Sequence, residues 1–163
     1  MNKIMNKAKE DNKGFSLVEL IIVIAIMAIL IGVVALQVVP YLEKSRVGKD
    51  RQLVDSVYSA FQTGVASTEG ITADVTITIT DTSVTPAYNA SPSTDAEKIL
   101  NEMIPVLGAD TTSGSGNEIF DVTVGKLSSA DAKSAKQIDC KYTYATKKIE
   151  VSVPGTDIKS SNK

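Results

Sequence analysis

From Leu20 to Leu36 the chain carries no charge, and Gly32 is its single residue there that is not hydrophobic. A helix rises about 1.5 Å per residue and the hydrocarbon layer of a bilayer is about 30 Å thick, so roughly 20 apolar residues suffice to cross it. Phe15 to Leu36 supplies 22 residues, enough to span with some tilt. Lysines at 3, 7, 9 and 13 precede the run and few basic residues follow it directly, which by the positive-inside rule places the N-terminus in the cytoplasm and the rest of the chain outside. An ordinary secretory signal fits poorly. The apolar stretch is too long, no A-x-A-like cleavage site follows it, and Glu19 sits where such a segment tolerates no charge.

Charge and composition exclude several kinds of chemistry. The chain has 17 basic and 19 acidic residues and a net charge of -2. Beyond residue 14 the balance is 13 basic against 17 acidic, a net charge of -4, which argues against a surface that binds nucleic acid. There is no histidine, so Ser-His-Asp triads, Cys-His dyads and histidine metal sites are all excluded. No catalytic residue, metal site or cofactor is expected. The single cysteine, Cys140, cannot form an internal disulfide, and its place among alternating apolar residues predicts a buried thiol.

Glu19 is the anomaly inside this pattern. A charge deep in a membrane helix costs roughly 2.5 to 3.5 kcal/mol on insertion scales. No lysine or arginine lies three or four residues away in the helix, so its partner is expected from elsewhere. A free amino group at Phe15 would serve, and it exists only if the chain is cut between Gly14 and Phe15. The stretch Gly14-Phe15-Ser16-Leu17-Val18-Glu19, with its basic leader and apolar helix, resembles the type IV prepilin motif.

That resemblance implies a set of roles. A membrane-embedded prepilin peptidase would remove residues 1–14 after Gly14, and the new N-terminal Phe15 would be methylated. Glu19 would pair with the terminal amine of a neighbouring subunit during assembly of a filament, a homopolymer of this chain. A cytoplasmic assembly ATPase and a platform protein are implied as partners. Family members commonly carry a proline near the position of Leu36 and a glycine near Ala28. Here Gly32 and Pro40 stand instead, so the helix kink is expected about one turn further on.

Past Pro40 the pattern becomes amphipathic. Leu53, Val54, Val57, Tyr58, Phe61 and Val65 recur at helical spacing, with Lys49, Asp50, Arg51, Asp55 and Ser56 at the other positions. Gly64 and Gly70 suit the end of that helix. Both parts together predict one helix of about 50 residues, roughly 75 Å long. Strands are predicted where β-formers alternate: Val75-Ile77-Ile79, Phe120-Val122-Val124, Ile138-Cys140-Tyr142-Tyr144 and Ile149-Val151-Val153. The last two form an antiparallel hairpin across Ala145 to Lys148. Thr94-x-x-Glu97 reads as a capping box that opens a short helix, ended by Pro105 or Gly108.

The segments from Ser83 to Thr94 and from Asp110 to Asn117 read as polar loops. In the second, no Gly-Lys-Ser/Thr element follows for phosphate, and Thr112 and Gly114 stand where calcium ligands would recur. Lys141, Tyr142, Tyr144, Lys147 and Lys148 interleave aromatic and basic residues as a sugar or nucleic-acid site does. Their alternation favours a strand with one buried face.

The expected architecture is α+β: a long N-terminal helix, half in the membrane and half amphipathic, packed on a small antiparallel sheet, as in the pilin fold. The expected division is a leader at 1–14, a transmembrane or filament-core helix at 15–39, its amphipathic continuation at 40–69 and an extracellular head at 70–163. The function implied is a structural pilus subunit: a single-pass protein of the cytoplasmic membrane before assembly and a fimbrial cell-surface polymer after it. The missing C-terminal cysteine pair, present in many Gram-negative pilins, points to a Gram-positive host. The alternatives are a pseudopilin of a competence or type II-like secretion apparatus and a membrane-anchored extracellular binding domain.

Overall fold

The structure, a computed structural model, describes residues 15–80, 84–87, 93–109 and 122–162. The chain divides at Pro40 into two compact units, one ending at Pro40 and the other running from Tyr41 to Lys163.

Helix α1 runs from Leu17 to Ser67 and contains Pro40. Its first half is rich in valine and isoleucine, poor helix formers in water. In hydrocarbon the backbone has no solvent to bond, so intrahelical hydrogen bonding overrides that preference. Pro40 has no N–H to give the carbonyl of Leu36. In the second half Val54, Val57, Ala60, Phe61 and Gly64 are buried, at the spacing of one helix face. Hydroxyls on the outward positions bond back into the same helix: Ser59 Oγ donates to the carbonyl of Asp55 and Thr63 Oγ1 to that of Ser59, each at 2.9 Å. These serines and threonines satisfy themselves within the helix they would otherwise loosen.

The buried face of α1 belongs to a single core with the sheet. Strands β1 (Val75–Thr80), β2 (Val84–Ala87), β3 (Gln137–Thr143), β4 (Lys148–Ser152) and β5 (Lys159–Ser161) lie in the order β2-β1-β3-β4-β5, every neighbouring pair antiparallel. Val75, Ile77 and Ile79 of β1, Ile138, Cys140 and Tyr142 of β3, and Ile149 and Val151 of β4 are buried, and the residues between them are not. Helix α2 (Ser93–Leu107) adds Ala96, Ile99 and Met103. A 3-10 turn (Val124–Lys126) and the short helix α3 (Ala130–Ala135) complete the unit. The fold is therefore α+β, with a long N-terminal helix and a small antiparallel sheet.

Several local expectations need correction. Val122 and Val124 do not form a strand. Val122 is helical, Val124 opens the 3-10 turn, and the N–H groups of Lys126 and Leu127 donate to the carbonyls of Thr123 and Val124. A strand would turn Thr123 away from its apolar neighbours, yet Thr123 is buried beside Val124. Phe120 and the loop 110–117 lie outside the described residues. Pro105 does not end α2, which runs through it to Leu107 before Gly108 takes a positive φ of 72°. The hairpin turn is Tyr144 to Lys147, with Lys147 at φ 54°, so β4 already begins at Lys148. Val84–Ala87, read as loop, is strand β2, while α3 and β5 were not anticipated.

Gly64 does not end α1. It lies inside the helix where α2 comes close: a Cβ there would stand 2.7 Å from the carbonyl oxygen of Ile99. The helix ends three residues later at Ser67, and Gly70 follows at φ 79°.

Candidate processing and assembly site

The start of α1 is built by Ser16 and Glu19. The Ser16 carbonyl accepts the first helical bond, from Leu20 N–H at 3.2 Å. The Ser16 Oγ accepts from Val18 N–H at 3.3 Å, and Glu19 Oε2 accepts from the Ser16 backbone N–H at 2.9 Å. This is a reciprocal cap of the S-x-x-E kind, which satisfies two N–H groups that a helix start leaves over. The expectation that Glu19 must find its partner outside its own helix is thus incomplete. A backbone donor three residues back holds one oxygen, and the positive end of the helix dipole favours the charge. Among the described residues no lysine or arginine pairs with it. A carboxylate has about four acceptor positions, so this cap leaves capacity for an incoming cation.

Phe15 precedes the cap and is 89% exposed, while Gly14 lies outside the described residues. From Leu17 to Val39 every large hydrophobic residue of α1 is exposed, as are Tyr41 and Leu42 beyond Pro40. The helix is long and apolar enough to cross a membrane, with a mean hydropathy of 3.2 over its most apolar window. Fully burying one such side chain is worth about 1.5 to 3 kcal/mol, so leaving them all in water would cost on the order of tens of kcal/mol. Lipid or other helices must cover them. Gly32 sits within this stretch, with open space where a Cβ would project.

A second carboxylate of α1 has the opposite surroundings. Asp50, expected on the solvent face, is 1% exposed. Its Oδ1 accepts from the backbone N–H of Ser128 at 2.8 Å and from its hydroxyl at 2.9 Å, and its Oδ2 accepts from the backbone N–H of Ser129 at 2.8 Å and from that residue's hydroxyl. Two turns earlier, Glu43 Oε1 accepts from Ala130 N–H at 2.6 Å. Glu43 thus takes the first N–H of α3, and Asp50 fastens the two residues before that helix to α1. Burial raises the Asp50 pKa, but the hydrogen bonds from Ser129 and Ser128 outweigh it and hold the carboxyl below its ordinary value. Sequence spacing carried the signal: Asp50 lies four residues before Val54 and seven before Val57, on the buried stripe.

The remaining candidates resolve into structure. Cys140 is fully buried, and burial, with the Asp139 charge beside it, pushes its thiol far up and out of reactive range. Tyr142 is buried; Tyr144 is partly exposed with Lys147 Nζ over its ring at 3.7 Å. Among the described residues no cluster of three acids or thiols could hold a metal ion.

An exposed apolar helix with a capped acid at its start, joined to a small α+β head, suits a membrane-anchored protein. One family model matches the chain, the prokaryotic N-terminal methylation motif, over residues 11–35. The match covers Gly14 to Glu19 and most of the apolar run, 25 of the chain's 163 residues. No curated protein and no solved structure matches the chain.

Proposed function

We propose that this chain is a structural subunit of a type IV pilus, cleaved between Gly14 and Phe15, methylated at Phe15 and polymerised through its apolar helix into a surface filament. The observation that carries this reading is the conjunction of the methylation motif with a helix half whose apolar residues are exposed on all sides. Prepilin peptidase, the assembly ATPase and the platform protein enter by resemblance, and the membrane holds the subunit before assembly.

Glu19 takes two successive roles in this scheme. In the membrane-held subunit it caps its own helix through the Ser16 N–H. In the filament its remaining acceptor positions receive the Phe15 amine of the next subunit, a charge-assisted bond stronger than a neutral one. The contact is head-to-tail, so it need not close into a ring and an open helical polymer follows. Gly32 and Pro40 are the places where the helix gives as it leaves lipid for the filament core.

Mass spectrometry of the N-terminal peptide from native cells tests the processing: methylated Phe15 as first residue is expected, and an intact Met1 leader on the surface protein would overturn it. Two variants then separate the roles of the acid. Glu19→Gln keeps a cap acceptor without the charge, and Glu19→Ala removes both. Both are expected to insert and be cleaved, and Glu19→Gln to lower filament yield about tenfold, in line with 1.5 to 3 kcal/mol for a hydrogen bond to a charged group. Wild-type yield from Glu19→Gln would remove the charge pair from the mechanism. A long, abundant sheared polymer distinguishes a pilus from the short filament of a pseudopilin.

A further inference from the structure

Six of the thirteen basic residues from residue 43 onward lie in two segments. Glu43 to Arg51 and Val124 to Ala135 together hold six lysines and arginines against three acids, a net charge of +3. The rest of residues 43–163 carries a net charge of -6. The two segments are neighbours in space, joined by the bonds from Ser128, Ser129 and Ala130 to Asp50 and Glu43 and by the Ser128 hydroxyl on the Arg46 carbonyl at 3.4 Å. Two of their three acids are occupied: Asp50 is buried under four donors, and Glu43 holds Ala130 N–H and, at 3.3 Å, Arg46, while Asp131 is exposed. Lys44, Lys49, Arg51, Lys126 and Lys133 are exposed.

The place of this collar in the chain suggests what it meets. Tyr41 and Leu42, both exposed, end the apolar surface of α1, and tyrosine is enriched at the headgroup level of membrane helices. Lys44 follows three residues after Tyr41 and Arg51 ten residues after it, within about 15 Å along a helix of 1.5 Å rise. Lys44 lies within the Debye length of about 8 to 10 Å over which a charged surface is felt, and Lys49 and Arg51 lie somewhat beyond it.

Resting on the membrane-anchored reading above, we infer that Lys44, Lys49, Arg51, Lys126 and Lys133 form a basic collar that binds the anionic headgroups of membrane phospholipid beside the helix exit. The acidic remainder of the head is repelled by the same surface, so the charge pattern orients the unassembled subunit as well as holding it. Entry into a filament then exchanges lipid phosphate for other contacts.

Full-length protein reconstituted into nanodiscs of phosphatidylcholine alone, or of equal parts phosphatidylcholine and phosphatidylglycerol, tests this without cleavage or assembly. Native mass spectrometry after release into detergent counts the lipids retained, and hydrogen exchange reports residues 43–51 and 124–135. The wild type is expected to retain phosphatidylglycerol preferentially and to exchange more slowly in those two segments when it is present. Lys44→Gln, Lys49→Gln and Arg51→Gln combined should lower the preference by about fivefold for each charge removed, the factor that corresponds to about 1 kcal/mol per basic residue at an anionic surface. Lys141→Gln, Lys148→Gln and Lys159→Gln combined remove equal charge from the sheet and should leave it unchanged. Equal retention of both lipids by the wild type, or equal losses in the two triple variants, would overturn the collar. Neither result depends on whether a filament forms.

Discussion

Residues 17–39 and residues 50–64 of α1 are both helical, yet they meet opposite fates. In the first stretch every large apolar residue is exposed; in the second, Val54, Val57, Ala60 and Phe61 are buried in the head's core. The acids follow the same division. Glu19 is exposed and caps its own helix, whereas Asp50 is buried and holds the two residues that lead into a different one. One helix thus carries an uncovered apolar surface and a buried one, and the stability of the head should depend on the second alone.

The strongest way to break this contrast is to shorten one side chain in each stretch and follow denaturant unfolding of the head in detergent-solubilised protein. Phe61→Ala is expected to cost about 3 to 5 kcal/mol, the range for truncating a buried aromatic residue. Ile29→Ala should change head stability by less than about 0.5 kcal/mol, as expected where no packing is lost. A comparable loss from both would mean that the two stretches do not stabilise the head independently.

Asp50 gives the next largest effect. Asp50→Ala leaves the N–H groups of Ser128 and Ser129 without their acceptor, and a loss of about 2 to 4 kcal/mol follows from about 1 to 3 kcal/mol for the buried Ser129 donor and about 1 kcal/mol for the half-buried bond of Ser128. The acid's titration sharpens the point. Its folded pKa is depressed, so the unfolded chain binds the proton more readily. The stabilisation is complete above the ordinary value of 3.8 and is lost as pH falls from there through the folded pKa. Asp50→Asn should flatten that part of the acid-unfolding curve; an unaltered acid limb would show that Asp50 is not what titrates.

The smallest of these effects is expected at Gly64. A methyl group there meets the Ile99 carbonyl at 2.7 Å, and the resulting shift of α2 from α1 should cost about 1 to 3 kcal/mol, as other overpacking changes do. Calorimetry of Gly64→Ala checks it. An unchanged melting temperature would show that α2 can move away freely.

Much of this was legible in the chain, for definite reasons. Val75-Ile77-Ile79 and Ile149-Val151-Val153 alternate strictly, and a strand with one buried face writes itself as that alternation. Phe120-Val122-Val124 shows the same pattern and misleads, because three residues are too few to exclude a turn that buries Val124 and Leu127 together. Lys159–Ser161 has no apolar alternation at all; its pairing with Glu150 to Ser152 is imposed by the turn before it and by Asn162, whose Oδ1 accepts from Ile149 N–H at 2.7 Å. At the candidate site the Ser16-x-x-Glu19 spacing announced a cap, but the apolar surroundings drew attention to the charge and away from the backbone donor.

What the sequence by itself determined is the membrane-length helix, the prepilin-like junction and the α+β class, since each depends on local composition or on a period repeated along the chain. What only the tertiary structure decided is which polar groups are inside. Asp50 is buried because three residues some eighty positions away present their N–H groups to it and to Glu43, and Gly64 is required because Ile99 passes close by. Contacts of that kind are made between distant segments, and no window along the chain contains both partners.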